Sequence, residues 1–303
     1  MLPRFALVLL LCTATVYAEP VVFSVRELAV EYTPFSVIAQ PGELLELPLL
    51  SGSLAMATVL SNDPNVDTTL SEEALQVSVP DIPGFYPLSL RLENGDSLEI
   101  NLFVTVPATA IDDELLNGYR MGPSPPGHHR FPELYHAPVG FIEVTEELLD
   151  TPLSPHFTLR QFLCKQHSEY PKYIALKESL LVLLEGLLAA VRERGYPAQT
   201  FGVISGYRTP WYNKKIGNVA NSRHVYGDAM DLYIDVDGDR NMDDLDGDGD
   251  QDLQDVVLLA EIADQYMRRP GNALIFGGVG RYGKTSRHGG FVHVDTRGYA
   301  ARW

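Results

Sequence analysis

From Val21 to about Pro107, apolar and polar residues alternate in short runs separated by turn residues. Leu88, Leu90 and Leu92 alternate with Ser89 and Arg91. After Asn94-Gly95, residues Leu98, Ile100, Leu102, Val104 and Val106 alternate with Glu99, Asn101, Phe103 and Thr105. A period of two puts one set of side chains on a single buried face, and Asn-Gly between two such runs predicts a hairpin with a type I' turn. The runs Val21 to Val25, Phe35 to Ile38 and Leu44 to Leu50 repeat the pattern, so residues 19–107 are read as an all-β, Ig-like sandwich. This stretch holds no His and no Cys, which fits a spacer or binding module.

Further along, the period changes. Leu176, Leu180, Leu183, Leu184, Leu187, Leu188 and Val191 form a broad apolar stripe, with Gly195 and Pro197 following, and predict a helix from Tyr173 to Arg194. Phe201 to Ile204 predicts a short buried strand, and a second helix is expected near Val256 to Met267. Between the two patterns, residues 108–154 are rich in proline (Pro123, Pro125, Pro126, Pro132, Pro138, Pro152) with Gly118, Gly122 and Gly127 interspersed, a linker draped over a domain. His128, His129 and His136 lie in it, and exposed linker histidines without further ligands are not read as a metal site. The fold class expected is an α+β domain at 155–303 behind the N-terminal all-β sandwich.

At the N-terminus Arg4 precedes the apolar block Phe5 to Leu11, and Val16-Tyr17-Ala18 offers small residues before Glu19. That is the pattern of a cleaved export signal over residues 1–18. Cys12 lies in the block behind Leu11, which disfavours lipid anchoring, and Cys164 alone remains afterwards, a buried small hydrophobe. No later stretch reaches the length of a membrane span, so the protein is expected outside the cytoplasm, in the periplasm or at the cell surface. The net charge of -17 argues against nucleic acid as a partner. Ten aspartates between Asp235 and Asp255 supply much of it.

The candidate chemistry starts after the predicted strand. His224 and Asp231 stand seven residues apart on either side of Gly227, and His293 sits in the apolar run Phe291 to Asp295. Two imidazoles and a carboxylate plus water form a ligand set for catalytic zinc with one open position. By residue type alone, satisfied polar residues in loops and core explain such a trio as well.

The complete pattern is Ser205-Gly206-Tyr207-Arg208-Thr209-Pro210, Asn213, Ser222-x-His224-x-x-Gly227-x-Ala229-x-Asp231-Leu232, Gly277-Gly278-Val279-Gly280-x-Tyr282 and Phe291-Val292-His293-Val294-Asp295. Across about 155–303 it resembles the M15-type metallopeptidases of the Hedgehog/D-Ala-D-Ala peptidase superfamily. It looks most like a murein peptidase branch with a Gly-x-Arg-x-Trp-like tail, here Arg297-Gly298 and Arg302-Trp303. The resemblance implies that His224, Asp231 and His293 bind zinc and that Arg208 faces the substrate and stabilises the developing oxyanion. The partner it implies is peptidoglycan or its stem peptides. Many family members carry a general-base glutamate three residues before the last zinc histidine, where this chain has Gly290. His288 is the favoured substitute, since an imidazole takes up a proton near neutral pH; Asp295 is either a second candidate or a residue that orients a ligand.

The aspartate run has its own periodicity. Asp244, Asp246, Asp248, Asp250, Asp252 and Asp255 fall in a twelve-residue frame with Gly249 at position 6, the pattern of a calcium loop. An overlapping frame from Asp235 to Asp246 has Arg240 at position 6 and is the weaker one. Zn2+ and Ca2+ are therefore the cofactors expected, the latter in an insertion at 235–255. Two functions stay open: a peptidase acting on peptidoglycan, and a cell-wall binding protein that keeps the metal but has lost turnover.

Overall fold

The computed structural model describes residues 21–303 apart from Asn62 and Asn94. The signal reading of residues 1–18, with Cys12, lies outside the described residues, as does Asn94 of the expected turn.

The N-terminal strands are β1 (Val22–Val25), β2 (Leu28–Val30), β3 (Phe35–Ala39), β4 (Leu44–Ser51), β5 (Thr58–Ser61), β6 (Asp67–Leu70), β7 (Ala74–Ser78), β8 (Gly84–Arg91) and β9 (Ser97–Val104). They form two sheets, ordered β2-β1-β4-β7-β6 and β3-β9-β8-β5, and all pair antiparallel except β3 with β9. Leu47, Leu75, Val77 and Leu90 are fully buried in the core they share, each such side chain stabilising by about 2 kcal/mol.

The β8–β9 connection differs from the expected type I' turn. Leu92 N–H donates to the Asp96 carbonyl at 2.9 Å and Gly95 N–H to the Leu92 carbonyl at 3.0 Å, with Gly95 at φ 89°. Pairing Leu92 with Asp96 leaves three residues in the loop, and the left-handed glycine closes it as a bulge.

Strand β9 is buried on both faces near its end. Phe103 packs into the core of the C-terminal half, Asn101 Nδ2–H donates to the Pro152 carbonyl at 2.6 Å, and Ser36 Oγ–H donates to that of Leu153 at 2.8 Å.

Short strands follow: β10 (Val106–Pro107), β11 (Leu115–Leu116), β12 (Tyr119–Arg120), β13 (Gly140–Val144), β14 (Pro152–Ser154), β15 (Phe157–Thr158) and β16 (Lys172–Ile174). Strand β13 pairs with β10 on one side and β16 on the other. Leu116, Met121, Phe141, Val144 and Leu153 from the proline-rich stretch join the same core as the helices described next.

The predicted first helix begins late. Tyr173 belongs to β16, opposite Glu143, and its hydroxyl donates to Glu143 Oε2 at 2.6 Å; α1 covers Glu178–Glu193. Periodicity alone could not separate the entering strand, because Leu176 is buried in either reading. Gly195, at φ 95°, ends the helix.

Beyond α1 come β17 (Gly202–Ser205), α2 (Pro210–Lys215), β18 (Ala229–Tyr233), α3 (Leu253–Met267), β19 (Gly278–Tyr282), β20 (Phe291–Asp295) and β21 (Ala301–Arg302). The sheet order is β17-β18-β20-β19-β21. Expected to be buried, β17 is an edge strand flanked only by β18, so Val203 and Ile204 are half-buried. Met230, Leu232, Val292 and Val294 join the core with α1 and α3. By the period of two, Asp231, His293 and Asp295 share the opposite face.

Candidate metal centre

Asp231 and His293 are direct cross-strand partners in the β18–β20 pair. His224 reaches the same point from a 3-10 turn at Arg223–Tyr226. His224 Nε2 lies 3.1 Å from Asp231 Oδ1 and 3.1 Å from His293 Nδ1, and the last two atoms are 2.8 Å apart. All three residues are buried, at 1%, 3% and 5% exposure for His224, Asp231 and His293. A tetrahedral site with bonds of about 2.0–2.1 Å has ligand-to-ligand edges of roughly 3.3 Å, so the triangle is close to the size zinc requires.

The remaining ring nitrogens fix which atoms face that point. His224 Nδ1 lies 2.7 Å from the Gly206 carbonyl, which can only accept, so Nδ1 carries the proton and Nε2 presents its lone pair. His293 Nε2 lies 2.9 Å from Asp295 Oδ2, leaving Nδ1 directed at Asp231. Asp295 is itself held by the Arg297 guanidinium, with Nε at 2.8 Å, and by Gly278 N–H at 2.9 Å. It therefore acts as an orienting partner of His293.

Electrostatics follow the same pattern. Burial pushes the His224 imidazole below its ordinary pKa. Burial opposes charge on His293 too, but hydrogen bonds to Asp231 and Asp295 lift it to about 9. Burial also works against the Asp231 carboxylate, yet the two rings hold it well below the usual range. In this state His293 is a cation bridging two carboxylates; replacing its Nδ1 proton by a metal ion keeps positive charge at the same point.

The turn bearing His224 is fixed by its neighbours. Arg223, buried, pairs with Asp228 through Nε at 2.9 Å and also through its terminal nitrogen, and its guanidinium lies over the Tyr135 and Tyr226 rings. Gly227 ends the turn at φ 77°, where a Cβ would come within 2.5 Å of the Ala175 carbonyl carbon. Only glycine meets both conditions.

Arg208 is buried beside the triad. Its Nε donates to Ser205 Oγ at 2.8 Å and its terminal nitrogen pairs with Asp231 Oδ2, the oxygen not facing the histidines. Trp303 packs on the other side, its ring centroid 5.3 Å from that of His293 and its Nε1–H donating to Tyr282 Oη at 2.7 Å.

His288 stands apart from these contacts. Its Nδ1 lies 2.8 Å from the Gly289 carbonyl and its ring meets Phe291 edge-on; among the described residues it makes no hydrogen bond to the triad. At Gly290, a Cβ would fall 2.6 Å from Val256 Cγ2 of α3, so packing explains why no glutamate stands there. In the proline-rich stretch, His128 stacks on Tyr135 and His129.

Within the acidic insertion, carboxylate oxygens of Asp244, Asp246 and Asp255 lie within 4.8 Å of one another, as do those of Asp235, Asp237 and Asp239. Asp248 and Asp250 are not in either group. Asp252 caps α3, accepting from Gln254 N–H at 2.6 Å. Asp255 is fully buried and accepts from Leu245 N–H at 2.6 Å and Asp252 N–H at 2.7 Å. Asp235 Oδ1 and Asp243 Oδ1 are shielded from solvent with no hydrogen-bond partner.

Sequence reasoning missed the Gly206 carbonyl, the acceptor for His224 Nδ1, which is invisible in a side-chain pattern.

A search of curated proteins finds no match. Residues 155–243 match the family model described as Peptidase M15. The matched segment contains Arg208, His224 and Asp231, and the β18–β20 pairing brings His293, beyond its end, to the same point. Residues 155–243 are thus similar to the M15 peptidases.

Proposed function

We propose that this protein is a zinc-dependent peptidase that hydrolyses peptidoglycan stem peptides or cross-links after export to the periplasm or cell surface. The observation that carries the reading is the convergence of His224 Nε2, Asp231 Oδ1 and His293 Nδ1 beside an M15-type segment. These three residues would hold the ion, which supplies Lewis acidity and activates water for attack on an amide. No helix among the described residues is long and apolar enough to cross a membrane.

Around that centre, Arg208 offsets negative charge developing on the scissile carbonyl oxygen. Its anchorage to Ser205 and Asp231 holds the guanidinium within one carboxylate of the metal position. His288 is the general base in this reading. Donating its Nδ1 proton to the Gly289 carbonyl leaves Nε2 as the basic atom. Asp295 holds His293 in the ligating tautomer rather than moving a proton in the reaction.

The proposal extends to calcium in the 235–255 insertion. The two converging groups of carboxylates and the unpartnered oxygens of Asp235 and Asp243 support it, since a hard cation takes six to eight oxygen ligands. Ion binding there would order the segment between β18 and α3.

Gly290 in place of the family glutamate favours a second reading, a cell-wall binding protein without turnover. Purified protein incubated with murein sacculi, with and without chelator, separates the two. Muropeptides released only in the metal-loaded sample support the peptidase. Retention on sacculi with no released fragment supports the binder.

A further inference from the structure

Residues 166–171 face the β11–β12 hairpin and helix α2 across a cleft of about 490 Å³. None of Arg208, His224, Asp231 and His293 lines it, so it is a site separate from the candidate metal centre. Its walls are tied together. Gln166, 3% exposed, donates from Nε2 to the Arg120 carbonyl at 3.2 Å and accepts at Oε1 from the Thr209 hydroxyl at 3.1 Å. Trp211 N–H donates to the Met121 carbonyl at 3.0 Å. With hairpin, loop and helix joined in this way, the cleft is formed before any ligand arrives.

Three cations stand at this cleft, each laid on an aromatic ring. Arg120 Cζ and Lys215 Nζ both lie 5.0 Å from the centroid of the Trp211 ring, and Lys172 Nζ, next to the lining residue Pro171, lies 4.9 Å from that of Tyr170. Among the described residues, none of the three side chains makes an ion pair or a hydrogen bond. Glu169 is the one acid in the lining, and it pairs with none of them. In a chain of net charge -17, acids are plentiful enough to have neutralised all three. A ring face holds a cation in place and leaves its charge uncompensated, so the cleft presents positive charge to an incoming anion.

We propose that this cleft binds an anionic saccharide, with Arg120 and Lys215 meeting its charged group. The inference goes beyond the peptidase reading and does not depend on it. The volume falls among small-ligand sites, about 300–1,000 Å³, and exceeds what a lone anion fills. The lining contains no Ala, Val, Leu, Ile or Met. It offers instead the rings of Tyr170 and Trp211 and the amide oxygen of Asn117, whose Nδ2 is already engaged with Tyr173 Oη at 2.8 Å. A sugar presents C–H groups on its faces and hydroxyls at its edge, and so suits aromatic and polar groups together. An acidic peptide brings aliphatic side chains, for which this cleft has no apolar pocket.

The test titrates the full chain calorimetrically with tetragalacturonate, its neutral methyl ester, a phosphorylated maltotetraose and tetraglutamate. Wild type is expected to bind one or both anionic saccharides at least about tenfold tighter than the ester or tetraglutamate. Preference for tetragalacturonate identifies a carboxylate as the group recognised, and preference for the phosphorylated probe a phosphate. Arg120→Gln/Lys215→Gln should bring the anionic saccharides down to the affinity of the ester, with circular dichroism unchanged, whereas Arg120→Lys/Lys215→Arg keeps the preference. The proposal is overturned if wild type binds neither anionic saccharide, binds acid and ester alike, or if the full preference survives in the Gln double variant. Tetraglutamate bound as tightly as the saccharides also overturns it, in favour of an acidic peptide.

Discussion

His293 donates its Nε2 proton to Asp295 at 2.9 Å, two residues along the same strand face, so that Nδ1 is the atom left to face His224 and Asp231. If the triad holds zinc as proposed, the pairing would make the metal affinity depend on a residue that is not itself a ligand. Asp295→Asn keeps the shape of the side chain but no longer holds the ring in one tautomer. Zinc affinity should fall about 10–100-fold, read by competition with a chromophoric chelator, while circular dichroism stays unchanged. Wild-type affinity in this variant would remove Asp295 from the centre.

Arg208→Ala should retain stoichiometric zinc, because all three ligand atoms remain. Its kcat on a peptide substrate should drop by about 10²–10³ with less change in KM. Elemental analysis and steady-state kinetics on one preparation measure both. Undiminished kcat would show that the guanidinium serves only to hold Asp231.

Calcium should raise the melting temperature of wild type, since an ion that binds only the folded state stabilises it. Asp244→Asn/Asp246→Asn and Asp235→Asn/Asp237→Asn should each lower the gain, and zinc content should be untouched in both. Differential scanning calorimetry in chelated and calcium-saturated buffer distinguishes the frames. Identical melting of wild type in the two buffers would leave the insertion as a solvated acidic loop.

Glu178 gives a pH dependence at the junction of the two halves. Its side chain, 13% exposed, accepts the Ile38 N–H of β3 at 2.9 Å and lies 4.0 Å from Arg26 Nε. Burial raises its pKa above the ordinary carboxylate value, with the Ile38 hydrogen bond opposing. A raised folded-state pKa contributes stability that is complete below the unfolded value, near 4.3, and lost as pH rises through the folded one. Glu178→Gln keeps the acceptor without the charge, so at neutral pH it should melt about 1–3 °C above wild type. The difference should vanish below about pH 4. A variant that melts lower at neutral pH would show that the pairing with Arg26 outweighs burial.

How far each feature could be read in advance depended on whether it is local. His224, Asp231 and Gly227 lie within eight residues of one another in a pattern whose glycine has a steric reason, and the sandwich strands announce themselves by strict alternation. Strand β13 was hidden because five residues between prolines carry too little periodicity, and its pairing partners are distant. The orienting role of Asp295, one of two alternatives open in the sequence, is favoured by its contact with His293 Nε2. Gly290 reads from sequence as a lost catalytic group, whereas in the fold it is the space that Val256 occupies.

The direct opposition of Asp231 and His293 across β18 and β20 has a bearing on folding as well as on chemistry. Side chains alternate faces along a strand, so a slip of one residue would send one of the two to the helix-covered side and separate the ligand atoms. An ion that demands both at once can be captured only by the correctly paired strands. Metal uptake would then proofread strand alignment, drawing the chain away from shifted pairings that its many apolar residues would otherwise tolerate.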